Sequence, residues 1–170
     1  QVADEFKMDP VAAHLARLLG RPVSKLDDCV GPEVAAAIDA GKPGDVFLLE
    51  NTRFHPEETA NDPAFARQLA ALADIYVNDA FGTSHRSHAS ITGVTKHVGM
   101  KLAGLLVEKE LRYLGGAIST PKRPFVGITG GSKISTRLGI IESLLQKIDL
   151  LIVGGGIGYT LLKSTGFDVQ

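Results

Sequence analysis

Cysteine is almost missing. Cys29 is the single one in 170 residues, so no disulfide can close within the chain, which fits a reducing compartment. An excess of charge is also missing. Eighteen Lys and Arg stand against 19 Asp and Glu, a net charge of −1, so no global basic field points to nucleic acid or an anionic membrane. Any positive charge that matters is therefore local. Long apolar runs are lacking too. The best candidate, Leu150-Leu-Ile-Val-Gly-Gly-Gly-Ile157, is short and broken by glycine, which argues against a membrane span. The start, Gln1-Val-Ala-Asp-Glu5, has no basic segment followed by an apolar one, so it does not read as a secretory signal. It has no initiator Met, and residues 166–170 carry no closing signal, so both ends read as cut.

What is present is apolar substance and glycine. The apolar fraction of 44% is enough for a core, and the length allows one domain or pieces of two. Nineteen glycines with few aromatics suit an α/β chain with many tight strand-to-helix turns. Asp9-Pro10 followed by Val11, Leu15, Leu18 and Leu19 predicts a capped amphipathic helix ending at Gly20. Residues 31–38 predict a second helix with Pro32 in its first turn, and 42–45 a turn. A buried strand follows over 46–50, then a helix from Asn61-Asp-Pro63 through Leu72. A strand over 75–77 leads into a His-rich loop. Residues 108–118 read as a largely solvated helix, which Pro121-Lys-Arg-Pro124 interrupts. The pattern then restarts: strand 125–129, helix near 135–148, strand 150–153 and a helix from Ile157. Strands alternating with helices predict βαβ units and parallel sheets.

The chemistry collects just after strands, where open α/β sheets bind ligands. Leu48-Leu-Glu-Asn-Thr-Arg-Phe-His55 and Tyr76-Val-Asn-Asp-Ala-Phe-Gly-Thr-Ser-His-Arg-Ser-His-Ala-Ser90 each run from an apolar strand into cationic or potentially cationic side chains: Arg53, His55, His85, Arg86 and His88. Arg53 and Arg86 offer planar forks suited to a carboxylate or phosphate; surface pairing with Asp79 or Glu50 is the plainer alternative. The histidines have no Cys or well-spaced carboxylate to complete a metal set, so they read as structural or anion-facing. Asn78 and Asp79 are expected to hold the loop through bonds to backbone. Gly130-Gly-Ser-Lys-Ile-Ser-Thr-Arg137 joins a strand to a helix, with Lys133 and Arg137 four apart on one helical face. It favours phosphate binding but lacks the Walker order. Gly154-Gly-Gly-Ile-Gly158 follows a strand as well, and its bare backbone suits close approach of a flat ring such as a purine.

In order and spacing, these four segments closely resemble phosphoglycerate kinases, and Asp27-Asp-Cys-Val-Gly-Pro32 and Pro43-Gly-Asp-Val46 fit the same family. The resemblance implies an α/β fold of parallel, doubly wound, Rossmann-like sheets, with parts of two lobes joined by a helix. It implies a substrate lobe over 1–104, an interdomain helix and hinge over 105–122, and a nucleotide lobe over 123–170. By resemblance, Arg53 and Arg86 bind 3-phosphoglycerate or 1,3-bisphosphoglycerate. Lys133 contacts the nucleotide phosphates and the moving group, and Arg137 stabilises its charge. Gly130, Gly131, Gly154, Gly155 and Gly156 line the ADP/ATP site.

The implied reaction is reversible glycolytic phosphoryl transfer from 1,3-bisphosphoglycerate to ADP. It uses Mg²⁺ with the nucleotide and needs no nucleophilic side chain, only positioning and charge neutralisation. The implied protein is cytoplasmic, a monomer at full length, with no nucleic-acid or membrane partner. Arg137 stands where the family commonly has Lys, and Thr136 where many members have Asp. The family's Asp-x-Asn and His-Leu-Gly-Arg-Pro motifs and its Mg-nucleotide carboxylate are not in this sequence, which matches the middle of the enzyme. The chain alone is thus expected to be inactive. The rival readings are an inert piece or a non-catalytic nucleotide-binding module.

Overall fold

The computed structural model describes residues 2–131 and 138–169. Two compact units emerge, Gln1–Glu108 and Lys109–Gln170. Among the described residues every strand pairing is parallel.

In the first unit, helix α1 (Asp9–Leu19) ends as the sequence predicts, at Gly20 with φ 63, whose N–H returns to the Ala16 carbonyl. Its start differs. Met8 precedes the helix and Asp9 lies inside its first turn, where its carboxylate favours the positive end of the helix dipole without capping it. Strand β1 (Ser24–Lys25), helix α2 (Pro32–Asp39) and strand β2 (Phe47–Leu48) form a βαβ unit with Ser24 opposite Phe47. The strand expected over 46–50 is regular for two residues only. Beyond them, Leu26 N–H to Leu48 C=O at 2.9 Å and Glu50 N–H to Asp28 C=O at 3.3 Å keep the segments aligned.

A 3₁₀ turn (Thr52–Phe54) leads to two short helices, α3 (Pro56–Ala60) and α4 (Pro63–Ala70). The Asp62 side chain caps α4, accepting from Ala64 and Phe65 N–H at 2.9 and 2.8 Å. Strand β3 (Ile75–Asn78) pairs with β4 (Met100–Ala103), the two linked through a π-helical turn (Ala89–Gly93). Helix α5 (Leu105–Ser119) follows, and the division between the units falls within it. It contains no buried residue, as its solvated pattern predicts. The core joins two clusters through Leu69: Cys29, Phe65, Ala66 and Ala89 on one side, Ala70, Val94 and Val98 on the other.

The second unit has strand β5 (Val126–Gly130), helix α6 (Leu138–Leu145), strand β6 (Leu150–Gly154) and helix α7 (Gly155–Ser164). The strands align from Val126–Leu150 to Gly130–Gly154. Asp149 fixes their shared start, accepting from Phe125 N–H at 2.6 Å and from Arg123 Nη1 at 2.8 Å.

Side chains alternate across a strand, so one face of each ladder can be followed. Ile75 and Val77 lie in register with Met100 and Leu102, and Val126 and Ile128 with Leu150 and Ile152. All eight are exposed, Ile128 by 78%. The β3–β4 and β5–β6 pairs thus each present an apolar face to solvent.

Candidate functional site

Arg53 stands on the 3₁₀ turn that leaves β2. Asn51 caps that turn, its Oδ1 accepting from Arg53 N–H at 3.1 Å. His55 closes the turn and is locked from two sides. Its Nε2 lies 2.7 Å from Asp28 Oδ1, and its ring packs against Phe65 with centroids 5.1 Å apart. His55 is therefore a structural histidine. The Arg53 side chain is exposed, and among the described residues no carboxylate pairs with it.

Arg86 stands on the loop that leaves β3. Asn78 Oδ1 accepts from Ala80 N–H at 3.0 Å, and Asp79 Oδ1 accepts from the Leu106 and Val107 N–H groups at 2.6 and 3.2 Å. Asn78 thus holds the start of the loop, as expected, whereas Asp79 is spent on the first turn of α5. Glu50, the other carboxylate considered for Arg53 or Arg86, faces Lys25 Nζ at 2.7 Å. The plainer alternative of arginine pairing with Asp79 or Glu50 is thus not what forms. Arg86 and His85 are exposed. His88 is turned inward, its Nδ1 3.7 Å from Glu58. Of the five basic side chains after the two strands, Arg53, Arg86 and His85 face solvent while His55 and His88 lie against carboxylates.

Beside the first turn lies a cavity of about 450 Å³, lined by Lys7, Lys25, Asp28, Glu50, Asn51 and His55 among others. Its charges are internally matched. Burial of Glu50 works against its ionised form, but Lys25 and the Asn51 and Met8 N–H groups outweigh it and hold the carboxyl below its ordinary range. Asp28 behaves alike: burial opposes ionisation, and His55 and the Cys29 N–H prevail. The ligand atoms of Asp28, Cys29 and His55 lie within 4.8 Å of one another. Asp28 Oδ1 already serves His55 and, at 2.6 Å, the Cys29 N–H. Burial, with the Asp28 charge, pushes the Cys29 thiol up to about 12, the reverse of what a metal-binding thiolate needs.

In the second unit the two glycine turns meet. Ile157 N–H donates to the Gly131 carbonyl at 2.9 Å. Gly131 has φ 136 and Gly155 φ 64, both unfavourable for a residue with a Cβ. A Cβ on Gly155 would come within 3.2 Å of Gly131 N, and one on Gly130 within 3.3 Å of the Gly154 carbonyl oxygen. The carboxyl ends of β5 and β6 are thereby joined backbone to backbone, with the start of α7 opening from them. Lys133 and Arg137 lie outside the described residues.

Parallel α/β units, one with arginines after its strands and one with glycine turns opening a helix, define a Rossmann-like α/β protein. A family model described as phosphoglycerate kinase matches residues 1–170. The chain belongs to the phosphoglycerate kinase family. It is 58% identical over 167 residues to the phosphoglycerate kinase of Moorella thermoacetica, covering 98% of this chain and 42% of the relative. Against that of Acaryochloris marina it is 56% identical over 169 residues, covering 99% and 42%. The solved phosphoglycerate kinase of Coxiella burnetii superposes with a TM-score of 0.80 at 38% identity, over 99% of this chain and 42% of that one. That of Pyrococcus horikoshii gives 0.81 at 31% identity, over 95% and 42%. The chain thus spans about two fifths of the length of these relatives. Among the described residues no helix is long and apolar enough to cross a membrane.

Two features of the site escaped the sequence reading. Helix α3 was not foreseen, because five residues, Pro-Glu-Glu-Thr-Ala, give no apolar period to detect. The inward role of Glu58 was hidden for the same reason. Only the capacity of Ser90 and His88 to seek a partner hinted at it.

Proposed function

We propose that this chain supplies the phosphoglycerate-binding arginines and part of the nucleotide-binding surface of a phosphoglycerate kinase. The whole protein would transfer a phosphoryl group between 1,3-bisphosphoglycerate and ADP, giving 3-phosphoglycerate and ATP. In this reading Gln1–Glu108 belongs to the substrate lobe and Lys109–Gln170 to the nucleotide lobe, with α5 as the helix between them. Arg53 and Arg86 hold the phosphoglycerate anions. Gly130, Gly131, Gly154, Gly155 and Gly156 let the nucleotide approach the backbone. Lys133 and Arg137 neutralise charge on the phosphoryl group, whose transfer requires positioning more than covalent chemistry. The finer assignments of a cytoplasmic location and a monomeric state belong to the same reading.

The observation that carries this reading is the state of the two arginines. Both are exposed, and Asp28, Glu50, Glu58 and Asp79 of the same unit are committed elsewhere. Two cationic forks that none of these carboxylates engages suit an external dianion. Magnesium, which the family implies with its nucleotide, finds little here. Asp149 serves Phe125 and Arg123 at the start of β6, the end of the strand away from Gly154. In this reading the described glycine turns face the nucleotide, and Asp149 is not a ligand for its metal. Turnover belongs to the whole protein; the 170 residues are assigned binding. Titration calorimetry with 3-phosphoglycerate tests this. Arg86→Ala and Arg53→Ala are each expected to weaken binding at least about tenfold, the value of a charge-assisted bidentate contact. Unchanged affinity in both variants would overturn the arginine assignment.

A further inference from the structure

Glu58 is 2% exposed, yet it is a carboxylate on α3, a helix of five residues. A buried carboxylate needs partners, and the identity of these partners is informative. Its Oε2 accepts from Ser90 N–H at 2.9 Å, its Oε1 accepts from Ser90 Oγ at 2.6 Å, and Oε1 lies 3.7 Å from His88 Nδ1. All three lie on the segment that carries Arg86. The helix that carries Glu58 follows directly on the turn that carries Arg53, with His55 ending one and opening the other.

The other end of α3 repeats the arrangement. Asn61 follows the helix with φ 55, and its Nδ2 donates to Ser87 Oγ at 3.1 Å and Thr92 Oγ1 at 3.2 Å. Ser87 is the next residue after Arg86. The segment also has its own internal frame. The His88 carbonyl accepts the N–H groups of Ile91, Thr92 and Gly93 at 3.1, 2.8 and 3.2 Å, closing the π-helical turn. The Arg86 loop is thus a preformed piece tied at two points to the element that continues from Arg53.

We infer that Glu58 is a positioning residue: it clamps the Arg86 loop to α3 and thereby sets the spacing between Arg86 and Arg53. This rests on the reading that the two arginines share one ligand. A ligand with a carboxylate at one end and a phosphate at the other is sensitive to that spacing. An anion held by one arginine is not. Positioning errors of about 1 Å are costly for such contacts.

The test uses the whole 170-residue chain with four variants and two probes. Ser90→Ala removes the short hydroxyl bond and keeps the N–H bond. Glu58→Gln keeps an acceptor for the N–H. Glu58→Ala removes the clamp, and Arg86→Ala reports on the ligand reading. The first measurement is the amide spectrum by NMR. Ser90→Ala is expected to shift signals of residues 52–54 as well as 84–90; shifts confined to the neighbours of residue 90 would overturn the clamp. The second measurement is affinity. Ser90→Ala and Glu58→Ala are expected to weaken 3-phosphoglycerate at least about fivefold while leaving inorganic phosphate unchanged, with Glu58→Gln closer to the parent. Equal weakening of both probes would overturn a positioning role in favour of general destabilisation. Should Glu58→Ala fail to fold, Ser90→Ala and Glu58→Gln decide. If the parent does not bind 3-phosphoglycerate, or Arg86→Ala leaves it unaffected, the shared-ligand reading falls, and the positioning role with it; the NMR result then says whether the tie survives as structure alone.

Discussion

Asp28 and Glu50 each hold together two parts of the first unit that are distant in sequence. Asp28 reaches His55, and Glu50 reaches Lys25 and the Met8 N–H at 2.9 Å. Both carboxyls are held below their ordinary range, so the unfolded chain binds protons that the folded one refuses. The stability they contribute is complete above the ordinary carboxylate range, near pH 4, and is lost as pH falls through their lower folded values. The urea midpoint is expected to drop between pH 6 and pH 3, with a shallower drop in Asp28→Asn. A midpoint that is flat over that interval would contradict the linkage. Lys25 is shifted the other way, raised chiefly by its bond to Glu50, so its contribution persists at neutral pH and is lost only in strong alkali.

At the level of elements, Asp62 illustrates what was legible. The Asn61-Asp-Pro63 segment announces a helix start, and Asp62 caps it with two bonds to backbone N–H. Asp62→Ala is expected to cost about 1 kcal/mol, read as a lowered urea midpoint with an unchanged slope. Gly20, Pro32 and the turn at 42–45 were legible for the same reason: their signals are local and belong to single residues. Strand β4 was not, because the alternation in Met100-Lys-Leu-Ala103 spans too few residues to signal a strand without its pairing with β3. In the candidate site the arginines could be read from their position after strands. Whether a neighbouring carboxylate was free could not, since Asp28 and His55 are 27 residues apart.

On the scale of the whole molecule, the exposed ladder faces set the behaviour in solution. The β3–β4 and β5–β6 pairs are two-stranded sheets with open edges and an exposed apolar face. Small open sheets of this kind invite association. The chain is expected to self-associate as its concentration rises. Ile128→Lys, at the most exposed of the eight ladder positions, should reduce it in light scattering. A parent that stays monodisperse across a hundredfold range of concentration would refute this.

The meeting of Gly131 and Gly155 has a consequence for how such a sequence can change. Both positions hold a positive φ that a side chain disfavours, and a Cβ on Gly155 would come within 3.2 Å of the Gly131 N. A replacement at Gly155 must therefore strain its own turn and press on the backbone of the other. The two turns, 24 residues apart by number, behave as one heritable unit: a tolerated replacement at one would have to wait for a shift at the other.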